Sequence, residues 1–249
     1  MSSVNILGVR VDDCTFASAV EMVEAWLAQG GAYQIASVNP EFIMRAQNDE
    51  TFARVLANTN LNVPDGVGAL WAAKLLGRPL TQRVGGADLT IELCRAASAH
   101  GWRIFFLGAR DGIAERAAAL LAARFPGMQV AGAYAGSPRP EEEDDLVARV
   151  AQAWPQLLFV AYGAPGQDVW LARNLPRLAS SHSASPAIVG MGVGGTFDFV
   201  AGTQKRAPLW VQNAGFEWLY RLIREPGRIR RQMALPRFAA RVMLESLRK

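Results

Sequence analysis

Two spacings of apolar residues alternate along the first 200 positions. Short β-branched and aromatic runs at Val4–Val9, Tyr33–Ser37, Leu61–Val63, Arg103–Leu107, Gln129–Gly132, Leu157–Ala161 and Ala187–Gly190 read as strands. Between them, Ala17–Leu27, Phe42–Leu56, Ala69–Leu76, Leu89–Ala99, Gly112–Phe125, Glu142–Trp154 and Asp168–Leu178 carry apolar residues at helical spacing. Alternation of this kind predicts an α/β fold, a mostly parallel Rossmann-like sheet flanked by helices. Ile104-Phe105-Phe106-Leu107 and Leu157-Leu158-Phe159-Val160-Ala161 are apolar throughout, as strands covered on both faces must be.

After Gly202 the pattern changes. No further strand is evident, and the chain is expected to divide into an α/β domain, residues 1–202, which would be the catalytic one in an enzyme, and a basic helical appendage, residues 203–249, suited to membrane association. Pro208 can start one helix, Glu225-Pro226-Gly227 breaks it, and Pro236 interrupts the next. Leu209, Phe216, Leu219, Leu222 and Ile223 form an apolar stripe beside Trp210, Trp218 and Tyr220, followed by Arg224, Arg228, Arg230, Arg231, Arg237 and Arg241. Aromatic plus basic helical surface is the composition of a segment that lies in a membrane interface. No apolar run reaches the roughly 20 residues of a bilayer span; Ile188–Val200 is broken by glycines and by Asp198. The N-terminus shows no secretory signal, so the expected location is cytoplasmic, peripheral on the inner face of the cell membrane.

Charge sharpens this division. The net +4 of the whole chain is made of +8 from Thr203 onward and −4 before it. Three acids cannot neutralise the eleven Lys/Arg of the last segment, so a polyanionic partner is expected: membrane phosphate, pyrophosphate or nucleic acid. Cys14 and Cys94 are isolated and read as small buried apolar groups. Two histidines, His100 and His182, give no support to a zinc site or a His-based triad. Asp12-Asp13 and the acidic run 141–145 read as solvated turn and helix-start charges.

Ligands of open α/β sheets bind beyond the carboxyl ends of the strands, and several polar motifs fall there. Asn39, in Ser37-Val38-Asn39-Pro40-Glu41, can cap a helix or contact a ligand. Asp65, in Pro64-Asp65-Gly66-Val67-Gly68, can cap a helix or act as a general base on a hydroxyl. Arg83 precedes Gly85-Gly86, where backbone amides can approach an anion. Tyr162-Gly163-Ala164-Pro165-Gly166-Gln167-Asp168 and Gly190-Met191-Gly192-Val193-Gly194-Gly195-Thr196-Phe197-Asp198 are the remaining strand-end loops. The second comes too late for a dinucleotide fingerprint and has no Walker lysine. No Asp-x-Asp pair is present. No metal or other cofactor is therefore expected, and a leaving diphosphate would be met by arginines and amides.

In order and spacing these motifs closely resemble the TagA/WecG/CpsF family of bacterial transferases, glycosyltransferase family twenty-six, over nearly the whole chain. The segment Ala201-Gly202-Thr203-Gln204-Lys205-Arg206-Ala207-Pro208 to Glu217-Trp218-Leu219-Tyr220-Arg221-Leu222 belongs to the same resemblance. It implies an inverting transferase that moves N-acetylmannosamine, its uronic acid or glucose from a UDP-sugar to an undecaprenyl-diphosphate-linked sugar, in cell-surface polysaccharide or exopolysaccharide biosynthesis. Asp65 would be the base. Asn39 and Gln167 would orient the substrates, and Arg83 would face a phosphate. Ser37 stands where relatives often carry Thr. The loop Gly192, Gly194 and Gly195, with Asp198, would contact the nucleotide. Arg221, Arg224 and Arg228 would come from the appendage to complete the site. The family's Gln-Glu pair appears here as Gln167-Asp168, which leaves the role of Asp168 open. The expected partners are the UDP-sugar, the polyprenyl-diphosphate-linked acceptor and an anionic membrane surface, with no nucleic acid; a homo-oligomer is also allowed. The alternatives are a non-catalytic nucleotide- or nucleic-acid-binding α/β module and a Rossmann-type oxidoreductase.

Overall fold

A computed structural model describes residues 1–180, 187–208, 210–211, 217–224 and 233–247, without the side chains of Glu217, Arg221 and Arg224. His182, Leu209, Phe216, Glu225-Pro226-Gly227, Arg228, Arg230 and Arg231 lie outside the described residues.

The single strand expected at Val4–Val9 is a hairpin. Strand β1 (Ser3–Ile6) pairs antiparallel with β2 (Val9–Asp12). Leu7 and Gly8 both take positive φ, 49° and 83°, the backbone that lets a two-residue turn match strand twist. Asn5 Oδ1 accepts the Gly8 N–H at 2.8 Å. Val4, Ile6, Val9 and Val11 all face inward, and the phase of the alternation shifts by one residue at the turn, where apolar Leu7 makes the run look continuous in sequence.

Six parallel strands follow in the order β4-β3-β8-β7-β5-β6. They are β3 (Ala32–Val38), β4 (Leu61–Pro64), β5 (Arg103–Gly108), β6 (Gln129–Tyr134), β7 (Leu157–Ala161) and β8 (Ile188–Gly192). Strand β7 is buried at every position and β5 from Ile104 onward, as their apolar runs predict, and β8 is buried throughout as well. One face of the sheet meets α1 (Phe16–Gln29), α5 (Gly86–His100), α6 (Ile113–Arg124) and the short α9 (Thr196–Val200). There Phe106 lies 5.8 Å from Phe159 and 5.5 Å from Phe197, ring centre to ring centre. Each such fully buried aromatic contributes about 1.5–3 kcal/mol. The other face meets α7 (Pro140–Ala153) and α8 (Gly166–Ser180).

The helix expected at Phe42–Leu56 is two helices, α2 (Pro40–Ala46) and α3 (Glu50–Asn58). Asp49 starts the second by accepting the Phe52 N–H at 3.0 Å. The acids at both ends of the α/β body are also less solvated than expected. Asp12 is buried, accepts the Asn62 N–H at 2.8 Å and pairs with Arg10 at 3.2 Å, which pins β2 to β4. Glu143, in the run 141–145, is buried and ion-paired with Arg173 and Arg177. Cys14 and Cys94 are free and buried, and burial pushes both thiols up to about 12. His100 ends α5, stacks on Trp102 at 4.8 Å and meets Glu24 at 3.1 Å, a structural role.

Beyond α9 the described chain contains α10 (Glu217–Arg224) and α11 (Ala234–Ser246). Pro236 sits in the first turn of α11 instead of interrupting it; the first turn has no intrahelical acceptor for its N–H, so proline is tolerated there. Phe238 and Val242 of α11 are buried in one cluster with Val4 and Ile6 of the hairpin, Phe42 of α2 and Ala72 of α4 (Val67–Leu75). Glu245 accepts the Leu7 N–H at 3.1 Å. No described helix is long and apolar enough to cross a membrane.

Candidate functional site

The loops that leave β3, β4, β7 and β8 enclose one open cleft of about 420 Å³ at the carboxyl edge of the sheet. Backbone hydrogen bonds carry the ladder past the strand ends and set where these loops begin. Asp65 N–H donates to Val38 O at 2.9 Å, Val84 N–H to Pro64 O at 2.8 Å, and Val193 N–H to Val160 O at 2.9 Å. Ser37, Asn39, Asp65, Arg83, Gln167, Gly192, Gly194, Gly195 and Asp198 all line this cleft, so nine of the residues singled out from the sequence meet in one place. Arg221 and Arg224 belong to α10, but their side chains, like all of Arg228, lie outside the described residues.

The two readings of Asn39 are compatible. Its Oδ1 caps α2 by accepting the Phe42 N–H at 3.0 Å, and the residue still lines the cleft. Asp65 differs: the N-cap of α4 is Gly66, at φ 81°, a conformation that favours glycine. Asp65 therefore precedes the cap and faces the cleft.

The glycines here are defined by what stands against them. A side chain on Gly86 would lie 2.8 Å from Ser37 Oγ, so the serine hydroxyl and the start of α5 are in direct contact. At Gly85, a Cβ would lie 3.4 Å from Asp65 Oδ1 and 3.2 Å from Asp88 Oδ2; two carboxylates converge over this residue. At Gly192, it would lie 2.5 Å from Gln167 Nε2 and 2.8 Å from Asp168 Oδ1. Buried Gln167 accepts the Gly194 N–H on its Oε1 at 2.9 Å, which ties the loop after β8 to the start of α8.

Arginines balance the acids. Arg206 grips Asp88 with both guanidinium nitrogens, at 2.5 and 2.7 Å, and Arg83 lies 3.9 Å from the same carboxylate. On the opposite rim Asp198 pairs with Arg110 at 3.2 Å and accepts the Thr203 hydroxyl at 3.0 Å. Asp168 is not a lining residue. It is 0% exposed directly behind the Gly192 wall, with no hydrogen bond of normal geometry to either oxygen. Burial pushes its carboxyl up to about 7, opposed in part by the adjacent Gln167 side chain and its own backbone amide.

Asp88, Arg206 and Gln204 also line the cleft, and the sequence alone assigns none of them to the site. Arg206 reads from the sequence only as one of the charges of residues 203–249. Gln204 contributes a buried Oε1 without a hydrogen-bond partner. Together the lining groups can take a proton, at Asp65, and hold an anion, at Arg83 and Arg206.

Comparison with known proteins identifies the family of the chain. The family model described as glycosyl transferase WecG/TagA/CpsF matches residues 4–249. A Bacillus subtilis strain 168 protein is 33% identical over 86% of this chain and 80% of its own length. A Bacillus spizizenii protein is 31% identical over 93% of this chain and 87% of its own. A Staphylococcus aureus strain MW2 protein is 29% identical over 97% and 92%. All three are named N-acetylglucosaminyldiphosphoundecaprenol N-acetyl-beta-D-mannosaminyltransferase. The match spans the sheet, the cleft and the C-terminal helices alike, and the chain belongs to the WecG/TagA/CpsF family of glycosyl transferases.

Proposed function

We propose that this glycosyltransferase moves N-acetylmannosamine from a UDP-sugar to an N-acetylglucosamine held on undecaprenyl diphosphate, with inversion at the sugar carbon, in cell-surface polysaccharide synthesis. Membership of the family sets aside both the non-catalytic binding module and the oxidoreductase that the sequence also allowed. The sugar and the acceptor are taken from the names of the relatives. The observation that carries the reaction is the meeting of Asp65, Arg83 and Arg206 in one cleft.

In this reading an acceptor hydroxyl oxygen attacks the anomeric carbon while the bond from that carbon to the diphosphate oxygen breaks. Asp65 receives the hydroxyl proton, and UDP leaves with the bonding electron pair. General-base assistance of this type contributes about 10²–10⁴-fold. Arg83 and Arg206 face the charge that develops on the diphosphate. Asn39 and the Gln167-anchored loop Gly192–Gly195 hold the substrates, with Ser37 and Asp198 at the edges. A membrane surface suits the acceptor: Trp210 and Ile223 are 73% and 71% exposed, beside a segment rich in arginine.

The test is transfer from UDP-N-acetylmannosamine, with UDP-glucose and UDP-N-acetylmannosaminuronic acid beside it, to a short-chain lipid-linked N-acetylglucosamine, read by mass spectrometry. A disaccharide product from the first donor is expected. Asp65→Asn should lower turnover by about 10²-fold or more while UDP binding survives. Absence of product with every UDP-sugar, or full turnover in Asp65→Asn, refutes the reading.

A further inference from the structure

A second hollow, of about 320 Å³, adjoins the reaction cleft and shares Glu41, Phe42 and Ala164 with it. It lies between α2, α3, the Ala164-Pro165 loop and the start of α11. Its walls are of two kinds. Phe42, Met44 and Phe52 are buried and, with Pro165 and Ala234, make an apolar lining; Arg45 and Arg237 are exposed at its border. A ligand that fits is anionic at one point, apolar beyond it, and continuous with the neighbouring cleft.

We propose that this groove receives the isoprenoid diphosphate end of the acceptor, with Arg45 and Arg237 meeting the diphosphate and the apolar wall taking the first isoprene units. The assignment rests on the sugar-transfer reading for the identity of the acceptor. Three observations favour it. Continuity through Glu41, Phe42 and Ala164 lets the acceptor sugar lie in the cleft while its lipid end lies in the groove. Two guanidinium groups are suited to a diphosphate, which accepts forked hydrogen bonds. The existing partner of Arg45 is Asp49 at 3.5 Å, on a side chain 56% exposed, and such a surface pair is weak enough to be exchanged. Glu41, of the opposite sign, stands on the shared wall and confines the diphosphate to the arginine side. The hollow is too small for a long polyprenyl chain, so the rest of the lipid stays in the bilayer. Arg237 comes from α11, whose burial against α2 and α4 fixes that wall.

The test separates this groove from the reaction itself. Calorimetric titration compares farnesyl diphosphate, farnesol, inorganic diphosphate and UDP on the wild type, the double variant Arg45→Ala/Arg237→Ala, and Asn48→Trp, which fills the groove. Thermal melts establish that each variant is folded, and Arg116→Ala on α6 serves as a charge control. The expected result is farnesyl diphosphate binding weakened about tenfold or more in both groove variants, with UDP binding unchanged. The KM for the lipid acceptor should rise similarly, and that for the donor should not. Two results overturn the proposal: no farnesyl diphosphate binding by the wild type, or equal binding by the variants. Binding needs no turnover. Arginine-dependent binding without sugar transfer by the wild type would refute the transferase reading alone, and transfer with unaffected variants would refute the groove alone.

Discussion

Arg206 and Asp88 are joined by a two-pronged ion pair at 2.5 and 2.7 Å, across 118 positions of sequence. It fastens the segment after α9 to the first turn of α5 and keeps a guanidinium group at the mouth of the cleft. Lysine has the charge but not the fork. Arg206→Ala should therefore lower kcat/KM by about 10–100-fold, and Arg206→Lys should recover only part of it. Asp88→Asn should lower it less, because the arginine remains but loses its anchor. Steady-state kinetics with both substrates varied check this; unchanged kinetics in Arg206→Ala would remove the residue from the site.

Gly192 offers a steric test of the same wall. A methyl group there would stand 2.5 Å from Gln167 Nε2 and 2.8 Å from Asp168 Oδ1, closer than such contacts allow. Gln167 cannot yield freely, because it is buried and its Oε1 holds the Gly194 N–H. Gly192→Ala should cost about 1–3 kcal/mol of stability by overpacking, and kcat should fall through the displaced Gly194 loop. Chemical denaturation and kinetics on the same sample measure both; a neutral substitution on each would show that the loop position does not matter.

How far the sequence foretold this molecule follows from the range of the interactions involved. The parallel sheet was legible because strands covered on both faces are apolar at every position, as in Leu157–Ala161. The hairpin at Leu7-Gly8 was not, because apolar Leu7 fills the turn and masks the one-residue phase shift between Ile6 and Val9, and neither was the break at Asp49, because helical spacing persists on both sides. Among the cleft residues, those placed directly after strands, such as Asn39 and Asp65, were legible as candidates from position, which by itself left a helix cap open for both. Arg206 was not, because its place in the cleft depends on Asp88, 118 positions away. Asp168 was left open for a similar reason: only packing against Gly192 turns a polar helix-start residue into a fully buried one.

Asp168 predicts a pH dependence. Its carboxyl, raised to about 7 in the folded chain, sits near 3.8 when unfolded. Between these values the native state holds a proton that the unfolded state releases, so stability declines as pH rises through this window and levels off above it. Asp168→Asn has no proton to lose. Its advantage over the wild type should be near zero at pH 4, grow toward pH 7 and then stay constant, on the order of 1–4 kcal/mol. Melting temperatures of both proteins from pH 4 to pH 8 test this. A difference independent of pH would mean that the carboxylate is ionised in the native state throughout.

The C-terminal segment packs against the α/β body, and on the proposed reading it also meets the membrane; substitutions can separate the two. Phe238 is 2% exposed and packs with Val242 against the hairpin, α2 and α4, whereas Trp218 and Ile223 on α10 are exposed. Deleting the whole segment would strip Phe42 and Ile6 of their cover and confuse loss of fold with loss of membrane contact. Phe238→Ala should instead destabilise the protein by about 3–5 kcal/mol, less if α11 detaches as a unit, because a large buried ring is replaced by a cavity. Its binding to phosphatidylglycerol–phosphatidylethanolamine vesicles below the melting temperature should be unchanged. The double substitution Trp218→Ser/Ile223→Ser should do the reverse, weakening vesicle binding about tenfold while leaving the melting temperature within a degree or two. Vesicle sedimentation beside thermal melts distinguishes them. If Phe238→Ala also releases the protein from vesicles, α11 takes part in the membrane contact; if the double substitution lowers the melting temperature, α10 is packed more closely than its exposure indicates.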